Sequence, residues 1–262
     1  MKPSKYLPLL LIGPLIGVLV FKGLKSEADQ PKEVSGKKQA AGASLDAAVP
    51  SARQDRTPKR KDTRDDRLRQ EEVRQCLSDA NSLFRKREIP GALELLNRAD
   101  EISGPNGEVL NLRGSCYMET RDFEKALPDF EKAVELSKGN PSIRFNVGEV
   151  HFVTKRWQEA LDVFGKLNEH LPSGNTRLTS LVDFKAMLCM NKLGRVEEMK
   201  ALAAKYGEQD SSPFYWYASA LAAAEANDPQ TERKLIFQAS QKFPDRGELA
   251  PWIDTMNEYR RD

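Results

Sequence analysis

The feature that most restricts the fold of this chain is a repeat of 34 residues. Residues of one type or one size class return at this interval in four columns of the sequence. The columns are Ala92, Ala126 and Ala160; Leu96, Phe130 and Phe164; Ala80, Gly114 and Gly148; and Ala99, Ala133 and Leu167. A period of this length indicates an array of similar units that stack side by side, because one such unit cannot bury its apolar face alone.

The columns resemble the pattern of tetratricopeptide repeats, which places small residues, an aromatic residue and a proline at fixed positions in a pair of helices. The second unit carries the matching residues Leu110, Arg113, Gly114, Tyr117, Ala126, Phe130 and Ala133, and the third carries Gly148, Ala160, Phe164 and Pro172. The resemblance implies an all-α solenoid of about five helix pairs. It also implies that the small residues lie where the two helices of a pair cross.

The domain predicted from the repeats covers residues 63–262. Its repeats are expected at about 73–106, 107–140, 141–174, 180–212 and 213–246, with about five residues inserted near 172–175. A capping helix is expected over 247–260, where Trp252, Ile253, Met256 and Tyr259 follow helical spacing. Such a helix would shield the apolar face of the last repeat, as the end of a solenoid requires.

Residues 1–24 are predicted to form a signal anchor, which is a single-pass transmembrane helix. The run from Leu7 to Phe21 is uninterrupted and apolar, and lysines flank it on both sides. Its fifteen residues would cover about 22 Å as a helix, and Gly23 and Leu24 extend it toward the roughly 30 Å hydrocarbon core of a bilayer. The very short basic amino terminus favours a repeat domain on the non-cytoplasmic side.

A secretory signal peptide is the alternative interpretation of the same segment. Ser26 and Ala28 provide small residues at the two places that a cleavage site requires. Cleavage after Ala28 would give a secreted or periplasmic soluble protein. The length of the apolar run favours the anchor.

Charge separates a basic linker from an acidic domain. Residues 25–62 are predicted to be a flexible basic linker, since they are rich in Lys, Ala, Ser and Gly and lack aromatic residues. The net charge is +4 over residues 25–69 and −5 over residues 70–262. An acidic domain argues against a nucleic-acid partner, which needs clustered Lys and Arg.

The resemblance also implies a binding surface, because the first helix of each tetratricopeptide repeat lines a concave groove. At the corresponding positions, residues are polar in the first two repeats and apolar toward the carboxyl end. We predict that eight exposed side chains bind a protein or peptide partner, namely Phe145, Glu149, Phe152, Phe184, Leu188, Phe214, Tyr217 and Leu221. An exposed apolar strip with aromatic residues is typical of an interaction site.

Nothing in the sequence indicates catalysis, a metal site, a cofactor or a small-molecule substrate. His151 is expected to be packed in a helix and His170 to end one. The three cysteines, Cys76, Cys116 and Cys189, match no metal or redox spacing. The sequence therefore predicts a membrane-tethered scaffold or assembly factor, similar to membrane-anchored tetratricopeptide-repeat proteins of the bacterial envelope. The alternative is a secreted soluble repeat protein.

Overall fold

The computed structural model describes residues 64–137, 140–171 and 176–261, and these ranges contain eleven helices and no strand. The helices are α1 (Arg64–Arg85), α2 (Ile89–Ser103), α3 (Gly107–Glu119), α4 (Phe123–Leu136), α5 (Pro141–Val153), α6 (Trp157–His170), α7 (Thr176–Lys192), α8 (Val196–Ala203), α9 (Phe214–Glu225), α10 (Pro229–Lys242) and α11 (Arg246–Arg260). The predicted all-α solenoid is confirmed for the described residues. The predicted anchor and linker lie outside these ranges, and no helix within them is long and apolar enough to cross a membrane.

Consecutive helices pack as antiparallel pairs, from α1 with α2 to α9 with α10. The first helices of neighbouring pairs also approach one another, α3 against α5 and α5 against α7, whereas the second helices stay further apart. The first helices therefore form the inner wall of a curved stack, and the second helices form its outer wall.

Glycine lets the two helices of a pair cross closely. A Cβ atom on Gly148 would lie 2.4 Å from Cε1 of Phe164, and one on Gly114 would lie 2.8 Å from Cε1 of Phe130. Both phenylalanine rings are fully buried. The expectation that small residues mark the crossing point is confirmed at these two pairs, since a larger side chain would meet the ring of the opposite helix.

The turn inside each pair contains one residue with a left-handed backbone. These residues are Arg87, Arg121, Lys155, Gly194 and Asn227, with φ angles of 63°, 59°, 60°, 71° and 55°. The amide that follows each of them donates to the carbonyl five residues earlier, which closes the first helix of the pair. Because the same turn recurs, the chain leaves the first helix of every pair in the same direction. The first helices therefore all lie on one side of the stack and form one inner wall.

The fourth pair departs from the others. Its second helix, α8, has only 8 residues, against 14 in α4, α6 and α10. The chain after α8 folds back, so that the ring of Tyr206 stacks on Phe214 with 3.9 Å between ring centroids. The Tyr206 hydroxyl donates to Oδ2 of Asp183 at 2.6 Å. This loop fills the space that a longer helix would occupy.

The last helix, α11, was expected to shield the apolar face of the last repeat. Trp252 of α11 packs on Phe214 and Tyr217 of α9 in that repeat, and the helix also crosses the inner wall against α5 and α7. Phe237 of α10 and Ile253 of α11 are therefore left 63% and 42% exposed. The helix forms as predicted, and its apolar stripe covers the inner wall from the last repeat to α5.

Candidate binding groove

The structure buries all eight side chains that the sequence assigned to an exposed groove. They lie on the inner wall as expected, on α5, α7 and α9, but none is more than 5% exposed. The expectation of exposure is therefore wrong. Binding of a partner by these residues stays a prediction. The inner wall that carries them is present, and a single helix of the same chain covers it.

The covering helix is α11, and Trp252 is its central contact. Its indole lies 5.1 Å from the ring of Phe184, 5.8 Å from that of Tyr217 and 6.5 Å from that of Phe214, measured between centroids. Trp252 is only 2% exposed. One large aromatic side chain thus fills the middle of the predicted groove. Its burial at an aromatic-lined site resembles the anchors that dominate protein interfaces.

The carboxyl-terminal end of α11 is held at the edge of the groove. The ring of Tyr259 lies 6.2 Å from that of Trp157, and Nζ of Lys192 lies 4.5 Å above it. The Arg121 guanidinium donates to the Glu258 carboxylate at 3.0 and 3.2 Å. Arg121 is the left-handed residue of the second turn, so the repeat geometry itself aims this cation at α11.

A buried ion pair lies on the floor of the groove. Nζ of Lys185 is 2.9 Å from Oε1 of Glu149, and both side chains are buried. The same ammonium lies 4.7 Å from the centroid of the Phe152 ring and 5.9 Å from that of Phe145. A cation between two aromatic faces and a carboxylate is stabilised by all three. Glu149 was predicted as a binding residue, whereas its partner Lys185 was not.

Carboxylates outnumber the one buried cation at this floor. The pKa of Asp254, on α11, is raised to about 6, chiefly by burial; the Lys185 ammonium lowers it, and the charges of Glu119 and Glu149 raise it. Burial also raises the pKa of Glu119 and, against the pull of Lys185, that of Glu149. The inner wall therefore offers α11 a site that is unfavourable for another negative charge.

The inner wall of the first two repeats is polar and only partly covered. Asn146 donates from its amide nitrogen to Oδ1 of Asn111 at 2.9 Å, which links α5 to α3. Asn81 and Asn111 are half-buried, Glu108 is exposed and Ser115 is buried. The predicted change from a polar to an apolar wall is present, and α11 covers the apolar part.

The three cysteines and the two histidines lie in helices within the described ranges. Burial raises the pKa of the Cys116 and Cys189 thiols to about 12, which keeps them protonated. His151 is buried and its pKa is lowered, mainly by burial, and Nδ1 of His170 donates to the carbonyl of Lys166. No group of three or more His, Cys, Asp and Glu side chains within these ranges could hold a metal ion.

A sequence model of the tetratricopeptide repeat matches residues 107–140, which contain α3 and α4. The next pair repeats the same glycine–phenylalanine crossing, and the pairs on both sides repeat the same left-handed turn. The chain is a tetratricopeptide-repeat protein. Repeats of this family act as protein–protein interaction scaffolds, and the inner wall of this tetratricopeptide-repeat protein has the corresponding architecture.

Curated relatives align with part of this tetratricopeptide-repeat protein. The BBSome complex member BBS4 of Mus musculus is 26% identical over 102 residues, which are 39% of this chain and 19% of that protein. The tetratricopeptide repeat protein 30 homolog of Drosophila melanogaster is 29% identical over 96 residues, 36% of this chain and 14% of that protein. The alignments thus span less than a fifth of the length of either relative.

Solved structures of similar shape include YrrB, described as a TPR protein with an unusual peptide-binding site. It is 20% identical, with a TM-score of 0.49 over 66% of this chain and 87% of YrrB. MamA AMB-1 is 15% identical, with a TM-score of 0.48 over 65% of this chain and 98% of its own.

Proposed function

We propose that this protein is a membrane-tethered scaffold that holds a partner protein by binding a helical segment of it on the inner wall. The observation that carries the proposal is the burial of α11 there, with Trp252 among Phe184, Tyr217 and Phe214. A wall that buries the apolar face of one helix has the shape and chemistry to accept another. Helix-in-groove binding relies on such anchors at helical spacing.

The charges at the rim indicate the flank that a partner helix would present. Arg121 and Lys192 lie beside the carboxyl-terminal end of α11, where they face Glu258 and the Tyr259 ring. A partner helix with an acidic or aromatic residue at this end would meet the same cations. Charge matching of this kind fixes register and speeds association.

Membrane tethering is supported by the apolar run over residues 7–21 and its flanking lysines. With the anchor in place, a linker over 25–62 would hold the repeats near the membrane and raise the local concentration of a bound partner. The domain would lie on the non-cytoplasmic side. Cleavage after Ala28 would give a secreted or periplasmic scaffold with the same groove.

Catalysis is not part of the proposal. The Cys116 and Cys189 thiols are protonated at neutral pH, and among the described residues neither His151 nor His170 forms a hydrogen bond to a carboxylate or hydroxyl group that would support acid–base or nucleophilic chemistry. The surface chemistry of the inner wall suits binding by shape, aromatic contact and charge.

Partner capture by rim variants tests the groove. We expect full-length chain, affinity-purified from its native cells, to retain a set of proteins that Arg121→Glu with Lys192→Glu loses, because the reversed charges repel an acid-flanked helix. Lys132→Glu is the matched control, since Lys132 lies exposed on the outer helix α4 and pairs with Glu135 at 2.7 Å. Capture of the same proteins by all three chains would refute binding at this rim.

Membrane extraction tests the tether separately. The full-length chain should stay in the membrane pellet after alkaline carbonate treatment, whereas a chain lacking residues 1–24 should not. Amino-terminal sequencing of the mature protein decides between the two localisations. A mature start at Asp29 would support the secreted alternative.

A further inference from the structure

We propose that α11 is a built-in competitor for the groove and that the partner is an amphipathic helix with a neutral or basic side chain where α11 has Asp254. This inference rests on the proposed function, and it names both the regulation of the groove and the chemistry of its ligand. Its observations are the contacts of α11 along the inner wall and the charges beneath it.

The ion pairs of α11 lie at its two ends. Glu248 pairs with Arg177 at 3.1 Å, Glu258 with Arg121 at 3.0 Å and Arg260 with Glu232 at 2.6 Å. The arginines are 38–67% exposed and the glutamates 10–21% exposed, so solvent screens the arginine side of each pair and limits its contribution to stability. Only residues 243–245 join α11 to α10, so the helix can leave as a unit about this link.

The apolar contacts of α11 are those that a second helix could reproduce. Leu249, Trp252, Met256 and Tyr259 are buried and lie on one face, at spacings of three and four residues. Ile253 lies on the other face and is exposed. An amphipathic helix with an aromatic residue, an aliphatic residue four places later and an aromatic residue three places after that would fill the same wall.

The charges beneath α11 would let a partner helix bind the inner wall more tightly than α11 does. The Asp254 carboxylate of α11 lies near the Lys185 ammonium of α7 and near the carboxylates of Glu149, on α5, and Glu119, on α3. Lys185 already has Glu149 as a partner at 2.9 Å. Burial is the largest cause of the raised pKa of each of these three acids, and at Asp254 the charges of Glu119 and Glu149 add to it. A neutral or basic side chain in place of Asp254 removes the repulsion, and a basic one gains the two carboxylates.

Binding of two labelled peptides tests both parts of the proposal, namely competition by α11 and selectivity for the side chain at position 254. The probes are a fluorescein-labelled peptide of residues 244–261 and the same peptide with Asp254→Lys. Each is titrated by fluorescence anisotropy into full-length chain in mild detergent, with a detergent-only blank because the peptides are amphipathic. The chains are wild type, Trp252→Ala, which loosens the internal helix, and the matched control Ile253→Ala, which changes its exposed face.

We expect the Trp252→Ala chain to bind both peptides at least tenfold more tightly than wild type or Ile253→Ala, since the apparent Kd falls as the open fraction rises. The Asp254→Lys peptide should bind at least tenfold more tightly than the native sequence. Circular dichroism verifies the fold, and Glu258→Arg, which repels Arg121, is the second loosening variant if Trp252→Ala is misfolded. Hydrogen exchange over residues 246–260 of the wild-type chain should accelerate when the Asp254→Lys peptide binds.

Equal affinity of wild-type and loosened chains would overturn competition by α11. A native-sequence peptide that binds as tightly as the Asp254→Lys peptide would overturn the charge selectivity and favour the α11 of a second copy as the occupant. The two proposals fail separately. Rim-dependent capture of a protein without peptide binding refutes only the role of α11, and peptide binding without rim-dependent capture refutes only the proposed function.

Discussion

Nζ of Lys185 lies 2.9 Å from Oε1 of Glu149, and α11 covers the pair. Removing one member leaves an uncompensated charge in a site that water does not reach. We expect Lys185→Met to lower the free energy of unfolding at pH 7 by about 3–5 kcal/mol, and Glu149→Leu with Lys185→Met to lose much less than the single change. Urea unfolding of the two single variants and the double variant measures the coupling.

Lys132→Met provides the comparison for this ion pair. Lys132 pairs with Glu135 on the exposed surface of α4, where the loss should stay below about 1 kcal/mol. Similar losses at Lys185 and Lys132 would mean that the buried pair is solvated in solution, contrary to its position beneath α11.

The contact between Gly148 and Phe164 predicts a steric effect. A methyl group on Gly148 would lie 2.4 Å from Cε1 of Phe164. Gly148→Ala should therefore cost about 1–3 kcal/mol of unfolding free energy. Adding Phe164→Leu should recover part of that loss, because the first repeat combines Ala80 with Leu96 at the same positions. Chemical denaturation of the four chains gives the coupling energy.

Gly165→Ala tests whether the loss is steric. Gly165 lies in α6, and a Cβ atom there would meet no other atom within 4 Å. This change should stabilise the chain by about 0.5–1 kcal/mol through helix propensity alone. Destabilisation by both substitutions would show that the cost at Gly148 does not come from the Phe164 ring.

The left-handed backbone of Lys155 predicts a stabilising substitution. Its φ is 60°, in a turn where glycine is the favoured residue. Lys155→Gly should raise the free energy of unfolding by about 0.5–1 kcal/mol, since the side chain strains this conformation. Lys166→Gly, in the exposed middle of α6, should lower it by about 1 kcal/mol. Thermal unfolding of both variants is sufficient, and a loss at Lys155 would contradict the turn geometry.

The repeat was predictable because it is local. Gly114 and Phe130 belong to adjacent helices, and Gly148 and Phe164 repeat the pair one period later. Sequence spacing fixes such contacts once the helices form, so the columns, through their resemblance to the tetratricopeptide repeat, predict the crossing point and the inner wall. The five left-handed turns follow the same logic, although Arg87, Arg121 and Lys155 give no compositional sign of them.

The position of α11 was not predictable from the same evidence. An amphipathic helix shows one apolar stripe whether it caps the last repeat or crosses the inner wall, and the choice depends on how Trp252 fits against residues of α7 and α9. The signal that could have indicated burial is Lys185, a single cation within the apolar stretch that begins at Leu181 and includes Phe184. Such a charge needs a buried partner, and Glu149 occupies a matching place on α5.

The pKa of Asp254 predicts how α11 responds to pH. Burial raises this pKa to about 6, above the value near 4 of an unfolded chain. Between these two values the folded chain binds more protons than the unfolded chain, so stability falls as pH rises from about 4 to about 6 and stays lower above it. Glu119 and Glu149 add to this fall, since their pKa values are raised too. Asp254→Asn removes the contribution of Asp254 to this fall in stability and leaves those of Glu119 and Glu149.

The free energy of unfolding of Asp254→Asn minus that of wild type should therefore increase by about 1–2 kcal/mol as pH rises from 4.5 to 7.5. Urea midpoints at four pH values across this interval measure the gain. Asp162→Asn, at an exposed position on α6, is the matched control for the loss of a carboxylate. A pH-independent difference between Asp254→Asn and wild type would mean that Asp254 titrates alike in the folded and unfolded chains. The groove would then place no penalty on an acidic residue at this position.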